Sequence, residues 1–193
     1  MWRASHGWIP SLSKLFSGVK PPSVAILLGH AWKPLDVPLY KINCDAVVCV
    51  NGNRVGIGVI IRDSNGDVMF SASKKIGTGL APSIAEASAI YEGMKLVAET
   101  GLLPAMVEFD LLSVVNLILA GQPIRSEIGL VIEDILELKV LHGFSSFVFS
   151  PRTSYRVAHS LAKMVVTHAM DIVSLEKVPP SIRSLVQEEA IFS

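Results

Sequence analysis

Four polar residues stand at the ends or on the inner faces of otherwise apolar stretches. They are Asp45 in Tyr40-Lys41-Ile42-Asn43-Cys44-Asp45-Ala46, Glu86 in Ala85-Glu86-Ala87, Asp110 in Val107-Glu108-Phe109-Asp110, and His159 in Val157-Ala158-His159-Ser160-Leu161. Three carboxylates and an imidazole gathered at one point would make a divalent-metal site, because hard cations such as Mg²⁺ take charged oxygen ligands. That donor set suits phosphodiester chemistry. An aspartate inside a strand is costly without a partner or a metal, so Asp45 needs a reason to be there. Glu86 shares a helical face with Ile90, Gly93 and Val97, which turns it toward a core. Asp110 follows an apolar strand, where it can cap the next helix or face a ligand beyond the strand's carboxyl end. His159 lies roughly opposite the Val157 and Leu161 stripe and is open either to a surface role or to metal ligation through neutral imidazole.

The elements that must position these residues are legible in the hydrophobic pattern. Leu39 to Val50 alternates apolar and polar residues as a half-buried strand does. Val55 to Arg62 and Val68 to Ile76 read as two more strands, joined by Asp63-Ser64-Asn65-Gly66-Asp67 with the Asn-Gly chemistry of a tight hairpin. Pro82 opens a helix that runs to about Thr100 and closes at Gly101. Ala105 to Phe109 reads as a strand, Leu111 to Ala120 and Glu127 to Leu141 as helices, Phe144 to Ser150 as a last strand, and Ser154 to Ala169 as a last long helix. The expected fold is α/β, a five-stranded mixed sheet of three antiparallel strands followed by two parallel ones, with helices on both faces. Gly56-Ile57-Gly58 enters a strand rather than a helix and lacks a third glycine, so it is no dinucleotide loop. Glycines there suit a closely approaching backbone.

The chain has 193 residues, half of them hydrophobic, and 17 Lys and Arg balance 17 Asp and Glu. That is enough for one domain with extensions and a proper core. Charges, Gly or Pro interrupt every apolar stretch before the roughly 18 residues of a spanning helix, so no membrane partner is expected. A neutral chain grips duplexes weakly, since phosphate contacts carry most non-specific affinity. Cys44 and Cys49 have no zinc spacing and point to opposite faces of one strand, which fits reduced thiols in an intracellular protein. Residues 1 to 31 carry basic but no acidic residues; they suit an organellar transit segment or a remnant of a longer parent, leaving nucleus, cytoplasm and organelle open. Residues 32 to 170 read as the domain and 171 to 193 as a tail with a Pro179-Pro180 break and a short amphipathic piece near Ile182 to Ala190. A monomer is expected.

Taken with Trp32-Lys33-Pro34, Gly56-Ile57-Gly58-Val59-Ile60-Ile61-Arg62-Asp63 and Pro151-Arg152, the four residues and their order resemble the ribonuclease H type-1-like domain. The resemblance is narrower still to the plant reverse-transcriptase-like version related to non-LTR retroelements. It implies metal-dependent hydrolysis of the RNA strand of RNA–DNA hybrids at a two-metal site holding Mg²⁺ or Mn²⁺. Asp45, Glu86, Asp110 and His159 would be the catalytic and metal-binding set, with His159 at a position that is often Asp in the family. Asp110 is chosen over Glu108 on the family motif alone. Arg62, Lys74, Lys75 and Arg152 are the expected phosphate contacts.

The chain also departs from the family. Tyr155 stands where plant relatives usually have Asn, and no histidine occurs between Phe149 and Val157, where active cellular enzymes have one that assists product release. The basic handle helix of bacterial relatives has no counterpart, because Glu127 to Leu141 is acidic. A domesticated retroelement fragment, weak or inactive in catalysis and acting as a nucleic-acid or protein-binding module, is the alternative these departures support.

Overall fold

The computed structural model describes residues 39–49, 54–122, 124–144, 146–151, 156–168 and 170–191. The basic N-terminal segment, Trp32-Lys33-Pro34, Arg152 and Tyr155 lie outside them. Three strands come first: β1 (Tyr40–Val48), β2 (Val55–Arg62) and β3 (Val68–Gly77). They pair antiparallel in sequence order. The β2–β3 turn is closed by Asp63, whose Oδ1 accepts from the amides of Asn65 and Asp67 at 2.9 Å each, and Gly66 supplies the positive φ of 89°. Helix α1 (Pro82–Thr100) starts with proline in its first turn and stops at Gly101, whose left-handed backbone returns its N–H to the Val97 carbonyl. After it come β4 (Ala105–Phe109), α2 (Leu112–Ala120), α3 (Glu127–His142), β5 (Ser146–Phe149) and α4 (Arg156–His168).

The last segment departs from the sequence expectation. Ile172–Leu175 is a strand, β6, which pairs antiparallel with β3, and α5 (Arg183–Ile191) follows a short 3-10 turn at Pro180–Ile182. Among the described residues the sheet therefore has six strands, in the order β5-β4-β1-β2-β3-β6, not five. Only β4 and β5 are joined in parallel to their neighbours, β4 to β1 and β5 to β4.

Both faces of the central strands are covered, so β1 is not half-buried as its alternation suggests. Helix α1 lies on the Ile42 and Cys44 face, where a Cβ on Gly93 would come within 2.5 Å of Cys44 Sγ. Helix α4 lies on the other face, against Gly56 and Gly58. A Cβ on Gly58 would sit 2.0 Å from the Ala158 carbonyl oxygen, so only glycine lets the helix backbone rest on the strand. Ser73 Oγ on β3 adds a bond to the Leu161 carbonyl at 2.6 Å. The polar residues of β1 on this face pair instead of reaching solvent: buried Glu108 meets Lys41 Nζ at 3.0 Å and accepts from Asn43 Nδ2 at 2.9 Å.

The C-terminal helix is tied to the same layer. Glu189 accepts from Arg62 Nη2 at 2.6 Å and from the Val157 amide, in the first turn of α4, at 3.0 Å. Helix α5 thus caps α4 while neutralising a buried arginine. Among the described residues, no helix is long and apolar enough to cross a membrane.

Candidate metal centre

The parallel ladder between β1 and β4 brings the first two carboxylates together. Asn43 is paired with Glu108, and two residues further along each strand come Asp45 and Asp110. Asp110 lies just past the carboxyl end of β4, where an open α/β sheet forms a crevice. The cap position of α2 is taken by Leu111, one residue after Asp110. Glu86 arrives from the first turns of α1, held to the sheet by the close seating of Gly93 on β1.

Ligand oxygens of Asp45, Glu86 and Asp110 all lie within 4.8 Å of one another. Asp45 is completely buried, whereas Glu86 and Asp110 are half-buried and reach the surface. One wholly desolvated carboxylate flanked by two half-buried ones is a poor arrangement without a counter-charge, and a donor set of oxygens alone fits a hard divalent cation. The local field agrees: burial, then Glu86 and Asp45, push the Cys44 thiol far above its ordinary range.

His159, in the first turn of α4, comes to Asp45 from the opposite helix layer and stands outside the three-carboxylate cluster itself. Its Nδ1 is 2.5 Å from Asp45 Oδ2, a separation that requires a shared hydrogen bond. Gly58 is the direct neighbour of Asp45 on β2, so the absent side chain there is what lets α4 deliver His159 to Asp45.

The four expected phosphate contacts fare differently. Arg62 is only 2% exposed and committed to Glu189, which corrects its assignment as a surface cation; its strand-end position conceals an inward side chain. Lys74 is ion-paired with Glu92 of α1 at 2.9 Å, with both side chains partly buried. Lys75 is exposed, and Arg152 lies outside the described residues. Sequence reasoning missed Glu189 as the partner of Arg62 and Glu108 as the partner of Lys41 and Asn43. The only available signal was the strand parity that puts Lys41 and Asn43 on one face.

A mixed sheet whose central strand carries an acidic cluster, crossed by a helix that brings a fourth polar residue to it, defines a ribonuclease H-like domain. The profile of the reverse transcriptase-like family matches residues 43–165, and the chain belongs to that family. Solved structures agree on the fold. RNase H1 from the halophilic archaeon Halobacterium salinarum is 16% identical with a TM-score of 0.60, covering 67% of this chain and 98% of its own. LC11-RNase H1, solved in complex with an RNA/DNA hybrid, is 20% identical with a TM-score of 0.61 and the same coverages of 67% and 98%. The N-terminal RNase H domain of rv2228c from Mycobacterium tuberculosis is 17% identical with a TM-score of 0.55, covering 68% of this chain and 99% of its own. No curated protein matches the sequence significantly.

Proposed function

We propose that this protein is a metal-dependent endonuclease that hydrolyses the RNA strand of RNA–DNA hybrids. The observation that carries the reading is the convergence of Asp45, Glu86 and Asp110 within 4.8 Å on a ribonuclease H-like sheet. A relative of the same fold solved with an RNA/DNA hybrid supports the substrate class. Asp45, Glu86 and Asp110 hold the Mg²⁺ or Mn²⁺ ions of a two-metal site, and His159 completes the set beside Asp45. The ions, when bound, supply Lewis acidity toward the phosphodiester and activate water. Burial fixes Asp45 in one position, His159 orients its carboxylate, and the more accessible Glu86 and Asp110 face the crevice through which substrate enters. Lys75 and Arg152 contact backbone phosphates. The buried, protonated Cys44 thiol supports an intracellular setting.

A second reading is favoured by the sign of α3, which carries Glu127, Glu133, Asp134 and Glu137 where a substrate grip would need the opposite charge, and by the interior position of Arg62. In that reading the chain keeps the fold as a nucleic-acid or protein-binding module. Cleavage of a labelled hybrid in Mg²⁺ and in Mn²⁺, with calorimetric Mn²⁺ binding on the same samples, separates the two. Turnover abolished by Asp110→Asn establishes the nuclease; Mn²⁺ binding without turnover assigns the module.

A further inference from the structure

We infer, resting on the reading of Asp45, Glu86 and Asp110 as a metal site, that Glu189 is a positioning residue for that site: through the Val157 amide it fixes the first turn of α4, which presents His159 to Asp45. The first four amides of a helix have no carbonyl of their own helix to bond, so the first turn frays unless a group outside the helix accepts from it. In α4 that turn is Arg156 to His159. Buried Glu189 divides its carboxylate between two donors. Its Oε1 accepts from the Val157 amide at 3.0 Å, and its Oε2 accepts from Arg62 Nη2 at 2.6 Å. A counter-charge for Arg62 alone needs no such division, and a carboxylate at a helix N-terminus also gains from the helix dipole. Two residues after Val157 the same turn ends on the site, with His159 Nδ1 2.5 Å from Asp45 Oδ2.

The bridge is anchored on the strand that also seats the helix. Arg62 belongs to β2, whose Gly58 is the register partner of Asp45 and meets the Ala158 carbonyl. Gly58 and Arg62 are four residues apart, a span of about 13 Å along a strand. Two attachments that far apart oppose rotation of the first turn as well as its translation. Helix α5 is itself held in place, because Val178 and Ile182 just before it are buried against Ile60, Val157 and Leu161 in a second apolar cluster separate from the main core. The exposed pair of Arg156 and Glu188, at 3.3 Å, adds little to this. The family profile ends at residue 165, so this support for the site comes from chain beyond the matched segment.

Two double variants remove both charges of the bridge and differ only in whether residue 189 can accept a hydrogen bond. Arg62→Met with Glu189→Gln keeps an acceptor for the Val157 amide; Arg62→Met with Glu189→Met has none. Neither strands a buried charge, so both should fold, with a thermal melt as the check. If the methionine pair does not fold, Arg62→Met with Glu189→Ala takes its place. In metal-free protein with isotope-labelled histidine, the His159 ring resonance is assigned by its loss in His159→Gln. It should keep its hydrogen-bonded shift in the glutamine pair and lose it in the methionine pair, together with the exchange protection of the Val157 amide. In hybrid cleavage the methionine pair should show kcat at least about tenfold below the glutamine pair, with KM within about twofold. A His159 resonance alike in the two pairs overturns the proposal. So does loss of Val157 protection with His159 unchanged, or equal kcat in the two pairs. If the unsubstituted chain neither binds Mn²⁺ nor cleaves hybrid, the metal-site reading is what fails, and the His159 resonance alone decides whether Glu189 positions that side chain.

Discussion

Asp45, Glu86 and Asp110 bring three carboxylates together where, of the three, Glu86 and Asp110 are partly solvated, so their repulsion should cost stability that a bound cation would restore. Replacing Glu86 by Gln or Asp110 by Asn should raise the stability of the EDTA-treated protein by about 1 kcal/mol while lowering Mn²⁺ affinity at least about tenfold. Paired thermal melts and calorimetry read both effects; a variant that loses stability and keeps its affinity would place that carboxylate outside the site. His159 makes the metal preference testable. His159→Asp should favour Mg²⁺-supported cleavage relative to Mn²⁺, and His159→Ala should lower activity in both, because imidazole suits the softer ion and an added carboxylate the harder one. Unchanged rates and preference in both variants would make His159 a bystander. Cys44 offers a control of the local field. Burial and the neighbouring Glu86 and Asp45 raise its pKa, and since only thiolate is nucleophilic, the folded thiol should resist iodoacetamide even at about pH 9 and react on unfolding.

At the scale of elements, glycine contacts decide how close each helix comes to the sheet. Gly58→Ala puts a methyl group into the Ala158 backbone, which cannot yield without moving α4, whereas Gly93→Ala meets chiefly the Cys44 sulfur. Gly58→Ala should therefore cost about 3 kcal/mol or more and Gly93→Ala less, with Gly58→Ala alone displacing His159 from Asp45. Urea titration gives the ranking, and equal costs would deny α4 its close seat. Glu189→Ala should destabilise by about 3 kcal/mol, since it removes the carboxylate that accepts from buried Arg62 and from the first turn of α4. The strands and helices of the family-matched segment were legible because their periods and stop signals are local: Gly101 after α1, Asn65-Gly66 between β2 and β3. Strand β6 was not, because Ile172-Val173-Ser174-Leu175 has apolar residues on both faces and its pairing is with β3, about a hundred residues earlier. Arg62 was misread for the same reason: a lone arginine at a strand end looks like surface until Glu189, 127 residues later, closes on it.

For the whole molecule, balanced charge limits how nucleic acid can be held. If Lys75 touches a phosphate, Lys75→Ala should reduce the slope of log K against log salt by about one, with little dependence on the base sequence. Arg62→Ala should leave that slope alone and act on stability instead, which a salt series of binding titrations on a labelled hybrid can distinguish. The cluster itself was legible as a set of residues, because three acids in apolar surroundings demand an explanation. Their distances were not, because convergence depends on how β1 and β4 align.

That alignment has a measuring stick. The apolar residues of β1 and β4 would tolerate sliding, but Glu108 meets both Lys41 and Asn43 in only one alignment, and a slip of one residue would turn Asp45 to the α1 side. A chain carrying Lys41→Met, Asn43→Val and Glu108→Leu together should gain or keep stability, as buried ion pairs replaced by hydrocarbon often do. It should nevertheless lose uniformity of Mn²⁺ binding, because a fraction of molecules would fold with their acids miscounted. In that sense the buried polar row is a vernier for the sheet, spending little on holding the protein together and most on making every copy the same.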